Sequence, residues 1–168
     1  MKNILLVLGV CLSFTAALAE PGPSYRALSI LDGKTVLCYG SVIEINGVRN
    51  DRLTDQADTV ISSLLSDMKL SAKRYDGKCD RLLNFTFEVI LAEAPTAYYD
   101  ELKLVSYTTT DRKSTAPLAE VTVWQEGMFG GEVRIFTPQE YTDKMDEHLK
   151  ALLDRFETDF FASQFALE

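Results

Sequence analysis

The spacing of apolar residues changes period twice along the chain. In "KTVLCYGSVIEI", Leu37, Tyr39, Ile43 and Ile45 fall on one side of a two-residue alternation. That predicts a strand, or two strands kinked at Gly40, ended by "NGVRND". The period then lengthens: Leu53, Ala57, Val60, Ile61, Leu64, Leu65 and Met68 recur at helical spacing, with Asn50 or Asp51 placed to cap the helix start. Alternation returns in "RLLNFTFEVILAE", where Leu83, Phe85, Phe87, Val89 and Leu91 line one face of a second strand.

A loop holding Pro95, Tyr98 and Tyr99 is expected next, then a third strand in "ELKLVSYTTT". "DRKSTAP" reads as a polar hairpin loop, "LAEVTVWQE" as a fourth strand and "GEVRIF" as a short fifth. Gly127, Gly130 and Gly131 flank Met128 and Phe129, a composition suited to a hairpin loop with positive φ or a bulge. Trp124, the lone tryptophan, is expected to shield one sheet face against the last helix. That helix opens with Thr137 as cap, Pro138 at its first position and Glu140 completing a capping box. Tyr141, Met145, Leu149, Leu152, Phe156 and Phe160 form its apolar stripe.

The resulting order is β-α-β-β-β(β)-α. Strands joined by short polar loops predict a mainly antiparallel sheet of four to five strands. Two amphipathic helices must bury their stripes, most simply on one face of that sheet, giving an α+β fold.

The chain's start changes the boundaries. In "MKNILLVLGVCLSFTAALA", Lys2 precedes an apolar run that ends in a small-x-small site at Ala17-Leu18-Ala19. Residues 1–19 are therefore expected to be a signal peptide, leaving a single domain over 20–168 that is secreted or periplasmic. The run falls short of the ~20 residues needed to cross a bilayer, so no membrane span is expected after cleavage. Of the 168 residues, 17 are cationic and 25 acidic, and loss of Lys2 leaves a net charge of −9. That balance argues against nucleic acid as a partner.

Cys38 and Cys79 remain after cleavage and predict a disulfide in an exported protein. Closing that loop stabilises by about 4 kcal/mol in the chain-entropy model. A redox pair or half of a metal site are the alternatives. His148 is the one histidine, too few for a conventional zinc site, so no metal is expected. It sits beside an apolar helix stripe and is expected at that helix's boundary with solvent. No nucleophile motif accompanies it. Asp51, Asp55 and Asp58, and likewise Asp143, Asp146 and Glu147, are expected on solvated helix faces. Asn84-Phe85-Thr86 matches a glycosylation pattern but falls inside a strand. No cofactor motif is found, and no cofactor is expected.

The helix "LTDQADTVISSLL", the strand ending "VTVWQEG" and the closing "LLDRFETDFFAS" resemble a family of small exported bacterial proteins without an assigned activity. The layout is similar to compact α+β envelope domains such as the N-terminal domain of TolB. The resemblance implies a periplasmic α+β domain and supplies no site residues. The expectation for function is a non-catalytic domain that binds a protein or another envelope component through a sheet edge, an open sheet face, or Tyr98 and Tyr99. The alternatives are a small apolar ligand held near Phe156, Phe160, Phe161 and Phe165, or a carboxylate-dependent hydrolase. Composition leaves the oligomeric state open.

Overall fold

A computed structural model of the chain describes residues 27–31, 36–77, 79–91, 96–108 and 119–165. The expected signal peptide and the "DRKSTAP" loop lie outside the described residues. A 3-10 turn at Leu28–Ile30 precedes strand β1 (Leu37–Ile45), β2 (Val48–Arg49) and helix α1 (Asp51–Asp67). Strands β3 (Ala72–Arg74), β4 (Arg81–Leu91), β5 (Thr96–Thr108) and β6 (Ala119–Glu132) follow, and helix α2 (Pro138–Phe165) closes the chain. The sheet order is β2-β1-β4-β5-β6, with β3 also paired to β1.

Local chemistry accounts for the β1–β2 turn and for the start of both helices. Asn46 and Gly47 both adopt positive φ, 53° and 72°, the geometry of the tight turn joining β1 to β2. Asn50 caps α1 by accepting from Leu53 N–H at 3.1 Å. Thr137 and Glu140 form the reciprocal capping box of α2: Glu140 N–H donates to Thr137 Oγ1 at 3.3 Å and Thr137 N–H to Glu140 Oε2 at 2.8 Å.

The pairing is antiparallel along β4-β5-β6 and parallel between β1 and β4. The sheet is mainly antiparallel as expected, but β1 departs from it, running parallel to both β4 and β3. Because α1 carries the chain back between them, β1 and β4 run in the same direction.

Leu83, Phe85, Phe87 and Val89 of β4, with Leu102, Leu104 and Trp124 beside them, meet Leu53, Ala57, Ile61 and Leu65 of α1 and Met145, Leu149, Leu152 and Phe156 of α2 in one core. Both helices thus cover the same face. Among the described residues, no helix covers the opposite face. Trp124 fulfils its expected role: its indole N–H donates to Asp159 of α2 at 3.0 Å, and its ring meets Phe156 edge-on. Cys38 and Cys79 are joined in a disulfide that ties β1 to the segment before β4.

Two expectations fail in this region. Tyr98 and Tyr99 are not in a loop, since β5 begins at Thr96. Nor is there a hairpin at Met128-Phe129, because β6 runs unbroken from Ala119 to Glu132. The glycines serve close approach instead of a turn. A Cβ on Gly130 would lie 2.3 Å from the Tyr98 ring, and one on Gly127 would lie 2.7 Å from Asp100 O.

Candidate functional site

Strand alternation separates the two tyrosines. Tyr98 points to the helix side, where it stacks near Phe136 and meets His148 edge-on. Tyr99 points to the open face, opposite Phe129 of β6. Only Tyr99 is placed for an external contact.

Around it the open face carries apolar residues on three strands, with the Glu88 carboxylate among them. Ile90 pairs with Ala97, Tyr99 pairs with Glu88 and Phe129, and Ala97 pairs with Gly131. Ile90 and Phe129 are exposed, Phe129 at 80%. Small residues at Ala97, Gly127 and Gly131 lower the surface between the large ones. The result is a shallow cavity of about 160 Å³ bordered by Glu88, Ile90, Ala97, Tyr98, Tyr99 and Phe129.

The margin of this patch is polar. Gln125 Nε2 donates to Glu101 at 2.6 Å, and Lys103 lies 3.8 Å from Glu101 and 3.6 Å from Glu120. Burial, then a hydrogen bond to Glu101 and the charges of Glu101 and Asp100, pushes the Tyr99 hydroxyl up to about 12. Tyr99 therefore stays protonated at neutral pH, a donor beside an apolar ring. An apolar centre with a polar rim is the anatomy of a protein contact. Beyond Tyr99, β6 pairs only with β5 among the described residues, so its other edge carries unmatched backbone groups.

Two polar clusters lie elsewhere, and both depart from the sequence expectation. His148 is buried at 7% exposure, not at a solvent boundary, and its Nδ1 lies 2.5 Å from Asp100 Oδ2. The helix position alone hid this, because the partner comes from β5, 48 residues away. Asp58 is also buried, unlike Asp51 and Asp55. Ser41 Oγ donates to it at 2.6 Å and Arg74 Nε approaches it at 2.7 Å. Ser41 falls in phase with Leu37, Tyr39 and Ile43 along β1, and that phase was the available signal. Phe156 and Phe160 belong to the core, whereas Phe161 and Phe165 are exposed, so the four do not converge on one ligand site. Asn84 donates to Thr86 within β4. Among the described residues no group of three or more His, Cys, Asp or Glu could hold a metal ion, and no helix is long and apolar enough to cross a membrane.

No family model and no curated protein matches the chain. Among solved structures, it is similar to a Helicobacter pylori protein assigned as a homolog of a neuraminyllactose-binding hemagglutinin. The identity is 14%, the TM-score 0.45, and the match covers 77% of this chain and 88% of that one. A likeness of that size carries no argument about function.

Proposed function

We propose that this chain is an exported, non-catalytic domain that binds a protein or another cell-envelope component through the open face of its sheet, centred on Tyr99 and Phe129. The observation that carries the reading is the side-by-side exposure of Ile90, Tyr99 and Phe129 on neighbouring strands, next to the unmatched edge of β6. Burying such a patch is favourable at about 25 cal/mol per Å² of apolar surface. Aromatic residues at the centre of a contact supply most of its energy.

The non-catalytic part of the reading draws on His148. Its imidazole is held by a buried carboxylate beneath Tyr98 and does not line the open face. The disulfide supports the assignment to an oxidising compartment.

The test is affinity capture from the source cell's envelope extract with wild type and Phe129→Ser in parallel. Phe129 is too exposed for its loss to unfold the protein. A partner retained by wild type and lost by the variant supports the reading; partners held equally by both would refute this face as the surface.

A further inference from the structure

β1 is paired along one edge by β4 from Cys38 to Ile45, but along its other edge only near its ends. Leu37, Cys38 and Tyr39 pair with β3, and Glu44 and Ile45 pair with β2. Between them Gly40 to Ile43 have no strand neighbour on that side among the described residues.

Along a strand, alternate residues send their N–H and C=O to the same edge. Leu37 N–H donates to Ser71 O at 2.9 Å, Tyr39 O accepts from Tyr75 N–H at 2.8 Å, and Ile43 O accepts from Asn50 N–H at 2.8 Å. Leu37, Tyr39 and Ile43 therefore all address this edge, and Ser41 falls in phase with them. Its N–H and C=O are directed into the gap, where no backbone group among the described residues meets them. Ser41 is only 5% exposed, and buried backbone groups are nearly always paired. The notch is thus one strand position short of a complete edge.

A cavity of about 280 Å³ adjoins the gap, lined by Ser41, Tyr75, Asn84 and Asp58 of α1, with Arg49 and Arg74 contributed by β2 and β3; the Asp58 carboxylate is already engaged by Ser41 and Arg74. Small-molecule sites usually span roughly 300–1,000 Å³, so this one suits the end of a chain better than a bulky ligand. Arg74 is committed: its guanidinium bridges Asp55 and Asp58, each at 2.7 Å. Arg49 differs. It approaches Asp51 through Nε at 3.1 Å, and both side chains are exposed, so solvent screens the pair. The rest of its fork remains a donor for a carboxylate.

We infer that this notch binds the carboxyl-terminal end of an extended peptide, its backbone pairing with Ser41 and its terminal carboxylate received by Arg49. The inserted segment supplies the missing strand position between β3 and β2, a short case of strand addition. It lies on the opposite sheet edge from β6, so it stands or falls independently of the Tyr99 surface.

The test is an amide-resolved NMR titration of the ¹⁵N-labelled protein with N-acetyl-Ala-Ala as free acid and as carboxamide. The free acid is expected to give saturable shifts at the Ser41 and Ile43 amides. Loss of the charge, either in the carboxamide or through Arg49→Gln, is expected to weaken binding about tenfold. The unchanged remainder of the Arg49→Gln spectrum shows that its fold is retained. Equal affinity for acid and carboxamide, indifference to Arg49→Gln, or no saturable shift at Ser41 up to ~10 mM overturns the inference.

Discussion

Asp100 of β5 and His148 of α2 meet inside the core, Oδ2 to Nδ1 at 2.5 Å, and they are the polar join between the sheet and the last helix at that level. The second carboxylate oxygen of Asp100 is buried with no hydrogen-bond partner among the described residues. Removing the imidazole takes away the main compensation of a buried carboxylate. His148→Ala should therefore destabilise the protein by about 3 kcal/mol in urea unfolding, and adding Asp100→Asn should recover part of that loss. Additive losses in the double variant would show that the two residues act separately.

The same pair makes stability depend on pH. Burial pushes the Asp100 carboxyl above its usual range, opposed by its hydrogen bond and attraction to His148 and, more weakly, by the Met128 backbone N–H. A raised value in the folded state means that Asp100 favours folding most when protonated. That contribution is complete below the ordinary carboxylate range, about pH 4, and is lost as pH rises through the raised value. The stability of wild type relative to Asp100→Asn should accordingly be greatest in acid and decline toward neutrality. Urea midpoints of both proteins across that range measure it, and a difference that grows with pH contradicts it.

The Cys38–Cys79 disulfide closes a 41-residue separation that spans β1, β2, α1 and β3. Replacing both cysteines with alanine should lower stability by about 4 kcal/mol in the chain-entropy model, read from denaturant midpoints. A change below about 1 kcal/mol would mean that strand pairing alone constrains this loop.

Gly130 lies under the Tyr98 ring, which Phe136 and His148 hold in place. Gly130→Ala should destabilise by about 2 kcal/mol through overpacking. In a Tyr98→Ala background the same substitution should be nearly neutral, because the clash disappears. An unchanged penalty would place its origin in the β6 backbone.

Much of the architecture was legible because its signals were periodic and local. The stripes from Leu53 to Met68 and from Tyr141 to Phe160, the Asn50 cap and the Thr137–Glu140 box all rest on neighbours within a few positions. The failures share a different cause. The β1–β4 pairing direction, the burial of Asp58 by Ser41 and Arg74, and the partnership of His148 with Asp100 all depend on residues far apart in sequence. Gly127, Gly130 and Gly131 mimic a turn, yet all three answer to atoms of β5 that local sequence cannot show. Tyr98 and Tyr99 are adjacent in sequence, but alternation within a strand gives them opposite faces. With β5 starting at Thr96, Tyr99 is the one that faces outward.

The central claim is that the Tyr99–Phe129 face is where this domain meets its partner, and site-specific photocrosslinking in the source cell tests it most directly. A photoreactive phenylalanine analogue is placed at Phe129 in one variant and at Val60, exposed on α1, in another. The account predicts a discrete higher-mass adduct from position 129, diminished by Tyr99→Ala, and none from position 60. Adducts of equal yield at both positions, or from position 60 alone, would contradict it.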